Sequence, residues 1–216
     1  MGRVAIVTGG TGALGRAIAA AFQAAGYDVH VTSSTAHPVG AQAPGQVHAV
    51  DLADLEATRS FATGFEEVHA LAMAAGGFAG GALAELGARD LESMLRLNVH
   101  TAGNSLAAFA NKLAPGAGVV LVGSQSYEGA AGIAAYAASK AAVVSLGKSA
   151  AAELRPRGVR VNVVLPDTID TPANRAAMPT ADTSRWSSPD DIARVVLWLC
   201  SPEATLVSGN AIRVGR

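Results

Sequence analysis

Two rhythms alternate along the chain. Short unbroken apolar runs, bounded by turn residues, predict buried strands, and longer stretches that are apolar at three- and four-residue spacing predict helices. "RVAIVT" opens the series as a strand, and "LGRAIAAAFQAAG" follows as a helix closed by Gly26. "YDVHVTS" and "QVHAVD" predict a second and a third strand, then a helix near "LEATRSFATGF". "VHALAMAAGG" predicts a fourth strand, and one helix is expected from about 88 to 113. "GVVLVGS" predicts a fifth strand, with the Ala-rich run around Tyr136 as its following helix. "GVRVNVVLP" predicts a sixth and "NAIRVG" a last short one. Between these two lies the helix "SPDDIARVVLWLC", with Ser188 as N-cap and Pro189 at its first position. Residues 36–45, "AHPVGAQAPG", predict a loop.

Apolar strands alternating with helices predict an α/β protein. The expected form is a doubly wound parallel sheet of Rossmann type, in three layers and a single domain. Ligands of such sheets bind at the carboxyl ends of the strands. The chain has 216 residues, half of them hydrophobic, which suits one well-filled core and no linker.

Charge narrows the class of partner. The formal net charge of -1 carries no footprint for nucleic acid or for an anionic membrane surface. Charged residues make up only 15%, which suggests surface buried between subunits. Cys200 is the single cysteine, so no disulfide framework exists within one chain, and a reducing cytoplasm is the expected compartment. Cys200 lies in an apolar helical stretch and reads as a core residue. No run is long enough for a secretory or spanning segment. The five histidines are His30, His37, His48, His69 and His100; no two share an element at metal-ligand spacing, so no metal is expected.

"TGGTGALG", residues 8–15, joins the first strand to the first helix. Gly10, Gly12 and Gly15 fit G-x-G-x-x-G in the context that gives the motif meaning. Such a turn brings backbone close to a pyrophosphate at a helix N-terminus, where amide groups and the helix dipole favour anions. A dinucleotide cofactor is therefore expected. At the end of the second strand an acid would favour NAD, but the residues are Thr32, Ser33 and Ser34. Three hydroxyls can bond a 2′-phosphate without repelling it, so NADP(H) is expected to be preferred over NAD(H). Asp51 reads either as a contact for the adenine amino group or as a turn or capping residue.

Tyr136 and Lys140 stand at i and i+4 on one helix face, in "YAASK". A nearby ammonium favours the phenolate and is expected to lower the tyrosine pKa, making it an acid/base near neutral pH. Ser124 ends the fifth strand, and Asn98 sits inside a helix, where asparagine is disfavoured without a reason. Four polar groups thus converge near the nucleotide site from separate elements.

With these motifs in view, the sequence resembles the short-chain dehydrogenases/reductases over nearly its whole length. The resemblance rests on "TGGTGALG", "LNV" at 97–99, "GS" at 123–124, "YAASK" and "PDTIDT" at 166–171. It implies a nicotinamide cofactor and a tetrad of Asn98, Ser124, Tyr136 and Lys140. In that tetrad Tyr136 is the acid/base and Ser124 polarises the carbonyl. Lys140 holds the nicotinamide ribose and lowers the tyrosine pKa, and Asn98 holds a water that links Lys140 to solvent. Thr171 and the backbone of Ile169 would hold the carboxamide. The implied cofactor contacts also include Gly9, Thr11, Gly12, Ala13, Leu14 and Gly15, then Leu52, Ala75, Gly76 and Pro166.

The sequence departs from the family pattern in several places. Ala13 stands where the common motif has its second glycine, Met73-Ala74-Ala75-Gly76 replaces Asn-Asn-Ala-Gly, and Asp167 replaces a glycine. The stretch from Ser124 to Tyr136 is about one residue short, which makes Ser126 the fallback for the serine. "LPDTIDTPANRAAMPTADTSRW" looks like the dihydropteridine reductase branch. Within it, Met178 and Trp186 either line a lid or pack the segment down.

The function expected from all this is interconversion of a small-molecule carbonyl and alcohol. Reduction of a quinonoid dihydropterin is the alternative within the same class, and a non-catalytic cofactor-binding scaffold or redox sensor is the alternative outside it. A sugar-nucleotide epimerase or dehydratase is disfavoured by the short C-terminus. Small residues on the two long helices, among them Ala141, Ala142, Ala150 and Ala151, predict a homo-oligomer, a tetramer or dimer.

Overall fold

A computed structural model describes residues 2–34 and 43–215. Most of the loop expected at 36–45 lies outside the described residues. Seven strands form one sheet: β1 (Val4–Thr8), β2 (Asp28–Ser33), β3 (Gln46–Ala49), β4 (Val68–Met73), β5 (Leu113–Val122), β6 (Arg160–Pro166) and β7 (Ala211–Val214). Their order is β3-β2-β1-β4-β5-β6-β7, and every pairing is parallel. The helices are α1 (Ala13–Ala24), α2 (Leu55–Ala62), α3 (Ala88–Met94), α4 (Thr101–Phe109), α5 (Ala134–Leu154), α6 (Pro172–Ala177) and α7 (Pro189–Cys200).

The strands are apolar on both sides because both sides are covered. Ile6, Leu71, Val119, Leu121 and Val163 point into a core closed by α2, α4 and α5. Their neighbours Ala5, Val7, Ala70, Ala72, Val120 and Val164 point into the other, closed by α1 and α7. Cys200 belongs to the second core, where its thiol meets the carbonyl of Gly118 and burial pushes its pKa up to about 12. Such a thiol is a packing group and not a nucleophile.

The chain runs outward from β1 to β3 and returns to β4 on the other side of β1. The carboxyl ends of β1 and β4 therefore flank the crevice where doubly wound sheets take ligands. Thr8 seals that junction, since its hydroxyl accepts from the Ala75 amide at 3.2 Å and its carbonyl accepts from Ala74 at the same distance.

Three elements differ from the expectation. The helix predicted over 88–113 is broken, because Leu95–His100 is a π-helical stretch between α3 and α4. β5 begins at Leu113, earlier than 118, with a register irregularity opposite Val68 and Ala70. α6 is an extra short helix, capped by the Thr171 hydroxyl, which accepts from the Asn174 amide. Ser188 caps α7 as expected, accepting from the Asp191 amide at 3.1 Å.

Candidate active site

The glycine turn is shaped by two close approaches. Gly9 has φ +68°, and a side chain there would meet the backbone of Ala75 at 2.8 Å. At Gly15 a Cβ would lie 2.2 Å from the Gly9 carbonyl oxygen, so only glycine lets α1 start this near the turn. α1 begins at Gly12 with no side-chain cap and no acid in its first turn, so nothing there competes with an anion. A pyrophosphate fits this cradle. Thr11 and Gly12 complete the turn, Ala13 opens α1, and Leu14 is buried in the core beneath it.

At the adenosine end the hydroxyls divide. Thr32 is 1% exposed and works inside the turn: its Oγ1 accepts from the Gly9 amide at 3.3 Å, and its carbonyl accepts from Gly10 at 3.0 Å. The expectation that Thr32 presents its hydroxyl to a 2′-phosphate is corrected accordingly; it supports the turn. Ser33 ends β2, and Ser34 is exposed. Asp51 takes a hydrogen bond from the Ala53 amide at 3.0 Å and an ion pair from Arg96 at 2.7 Å, with Leu52 buried beside it. The turn reading of Asp51 therefore holds in this structure, and Arg96 is a neighbour that sequence reasoning missed.

Two residues of the loop after β4 link the turn to the tyrosine helix. Ala75 lies against Gly9, while a methyl group added to Gly76 would sit 2.6 Å from Asn98 Oδ1 and 3.5 Å from Lys140 Nζ. Asn98 is 1% exposed and grips the next residue twice: its Nδ2 donates to the Gly77 carbonyl, and the Gly77 amide donates to Oδ1, both at 3.1 Å. Nδ2 also donates to Ser139 Oγ at 3.1 Å. Both amide hydrogens are committed, so any water at Asn98 would meet oxygen lone pairs. The π stretch explains how a disfavoured asparagine is accommodated, since such stretches recur at functional sites.

Lys140 is buried inside the protein, and its Nζ donates to the Val122 carbonyl at 2.9 Å. Burial pulls its pKa down to about 8. Its Nζ lies 5.8 Å from the centre of the Tyr136 ring. Tyr136 departs from the expectation of a lowered pKa. Desolvation holds its phenol above the ordinary value of 10, and a side-chain hydrogen bond with Ser124 pulls the other way, less strongly. Ser124 is thus the serine that acts on the Tyr136 phenol, while Ser126 uses its amide to donate to Ser124 Oγ at 3.2 Å.

Past the end of β6, Pro166 leads into a segment held by Asn174. Its side chain donates to the Ile169 carbonyl at 2.8 Å, and its amide donates to Thr171 Oγ1 at 3.1 Å. Trp186 is buried and packs this segment down, whereas Met178 is 40% exposed.

Sequence reasoning also missed Phe78, whose ring meets Tyr136 edge-on with centroids 4.9 Å apart. A lone aromatic inside "AAGGFAGG" was the available signal. His30 and His48, separate in sequence, meet at 3.0 Å across β2 and β3. Their rings stack on each other, and His30 meets Phe65 edge-on while His48 meets Phe61 at a tilt.

Comparison with known proteins agrees with this geometry. The family model described as enoyl-(acyl carrier protein) reductase matches residues 10–215. The cyclic-di-GMP-binding biofilm dispersal mediator protein of Escherichia coli (strain K12) is 30% identical, over 96% of this chain and 93% of that one. Among solved structures, BdcA in complex with NADPH superposes with a TM-score of 0.89 at 28% identity, covering 99% of this chain and 93% of that one. A blue fluorescent protein from a metagenomic library, in complex with NADPH, superposes with a TM-score of 0.87 at 27% identity, covering 99% and 96%. With its seven parallel strands, glycine turn and Tyr136–Lys140 helix, the chain belongs to the short-chain dehydrogenase/reductase family.

Proposed function

We propose that the protein is an NADP(H)-dependent oxidoreductase that interconverts a carbonyl and an alcohol. The observation that carries this is the hydrogen-bonded Tyr136–Ser124 pair beside buried Lys140, joined to the glycine turn through Ala75 and Gly76. When bound, the nicotinamide supplies the hydride. Gly9, Gly12 and the α1 N-terminus would hold its pyrophosphate, and Ile169 and Thr171 its carboxamide end. Ser124 orients the substrate oxygen, and Tyr136 delivers a proton as charge grows there. Burial holds this phenol above the ordinary tyrosine value, so it is protonated at neutral pH and can serve as the donor. Lys140, near 8, is mostly protonated at neutral pH, and its positive charge lies beneath the ring. A panel of ketones, β-ketoacyl thioesters and quinonoid pterin, assayed with NADPH and with NADH, tests the reading. No oxidation of either cofactor with any of them would refute it and favour the binding scaffold, a reading supported by the Escherichia coli relative whose name states that it binds cyclic di-GMP.

NADPH is expected to bind about tenfold tighter than NADH, or about 1.4 kcal/mol. The basis is the acid-free end of β2, with Arg16 exposed on the first turn of α1 as the nearest cation in sequence. Ser33→Asp puts a carboxylate where the phosphate would lie and shifts the preference toward NADH. Fluorescence titration of both cofactors decides, with thermal melting as a check that the buried site tolerates the acid. An unchanged ratio in the variant would remove Ser33 from cofactor choice.

A symmetric homo-oligomer is the expected assembly. α3 buries only Met94, and Leu91 on it and Leu95 at the start of the π stretch are each more than a third exposed. α5 carries small residues beside it. Close helix–helix contact would cover this area. Light scattering at micromolar concentration should give a dimer or tetramer mass; a monomer would refute the assembly.

A further inference from the structure

Phe78 is 67% exposed, yet it is not loosely placed. On one side its neighbour Gly77 is held in the double hydrogen bond with Asn98. On the other side the Gly81 amide donates to the Gly132 carbonyl at 2.8 Å. Between these anchors the ring leans edge-on against Tyr136, with an interplanar angle of 67°. A large apolar ring held rigid, wet and against the reacting phenol is a surface made to receive something.

Next to it lies a cavity of about 170 Å³ between residues 79–86 and the start of α5. Its apolar walls are Leu83, Leu86 and Ile133, and Ala134 and Ala135 bring it within one residue of Tyr136. Gly80 joins the two features, since a Cβ there would lie 3.4 Å from Ile133 and 3.7 Å from the tip of Phe78. The cavity's volume is of the size of a single ring, and its mouth is open to solvent. The charged groups that line it are Glu85 and Asp90, both acids, and no base lines it. Asp90 also accepts from the Gly87 amide at 2.8 Å, which fixes its carboxylate there. Two carboxylates on the lining, one of them held in place, disfavour an anionic ligand.

We propose that Phe78 and this cavity form the substrate-tail site, and that they select an uncharged aryl carbonyl compound over anionic and short aliphatic ones. The proposal rests on the oxidoreductase reading and adds the substrate class to it. The carbonyl would meet Tyr136 and Ser124 while the aryl ring packs on Phe78 and enters between Leu83 and Ile133.

The test uses the full chain saturated with NADP+, which has no hydride to give a ketone, so binding is measured without turnover. Acetophenone, 4-carboxyacetophenone and butanone are titrated by calorimetry, and the steady-state reduction of all three with NADPH is measured in parallel. Acetophenone should bind about tenfold tighter than either of the others. Phe78→Ala should erase that advantage, raising KM for acetophenone about tenfold. Phe78→Leu, a milder change, should retain part of the advantage. Glu85→Gln should narrow the gap to the carboxylate. Equal binding of acetophenone and butanone, or a Phe78→Ala protein that still prefers acetophenone, would overturn the site. Reduction of butanone with no aryl preference defeats the site and leaves the reaction standing. Aryl-selective binding with no reduction of any carbonyl overturns the reaction and leaves the site.

Discussion

Tyr136→Phe is expected to keep the fold and the cofactor affinity while turnover falls about 100-fold or more, the usual contribution of a positioned general acid. The change removes one oxygen. The ring keeps its edge contact with Phe78, and Ser124 keeps the hydrogen bond from the Ser126 amide. What disappears is the proton opposite the developing alkoxide and the partner of the Ser124 hydroxyl. Single-turnover reduction, with a fluorescence titration of NADPH on the same sample, separates chemistry from binding. Turnover like that of the wild type would take Tyr136 out of the reaction.

Lys140→Met should be as damaging to turnover and should change stability in a pH-dependent way. Lys140 ordinarily titrates near 10.5 and in the folded protein near 8. Between those values the unfolded chain holds a proton that the folded chain has released, so stability rises with pH across that window. Below about 8 the folded state carries the full cost of a buried ammonium, about 3 kcal/mol. In urea unfolding, the wild type should therefore gain stability between about pH 8 and pH 10 relative to the Met variant, in which this contribution is absent. At neutral pH the variant escapes the burial cost but leaves the Val122 carbonyl without its donor, about 1–3 kcal/mol in the opposite sense. Parallel pH profiles for the two proteins would mean that Lys140 is not the strained group described here. A site that holds a lysine charged at a cost to the fold fits a residue kept for function.

Local signals were the legible ones. Apolar runs found all seven strands, and the β1–turn–α1 unit and the Ser188 cap were written in adjacent residues. Tyr136, Lys140 and Ser124 were found because their spacing and strand-end position are local too. What escaped the sequence was set by partners distant along the chain. Thr32 was read as a ligand group because nothing nearby shows that Gly9 takes its hydroxyl. Asp51 is held by Arg96, 45 residues on, and His30 meets His48 only once β2 and β3 pair. The tyrosine pKa was misjudged for a related reason: spacing showed a neighbouring cation, but burial decides the direction. The start of β5 reads "LAPG", a turn by composition that the sheet draws into a strand.

The uniform helix expected over 88–113 failed because a 3.6-residue period has no place for an added residue. Leu95–His100 adds one, which rotates α3 against α4 by about 100°. The two halves of an apparently continuous rod are thereby uncoupled. α3 packs against α5, while α4 packs against α2 and the sheet. Between them Asn98 stands buried, bonded to Gly77 and Ser139. One added residue thus turns Leu91 outward from the sheet while Asn98 faces inward to the site.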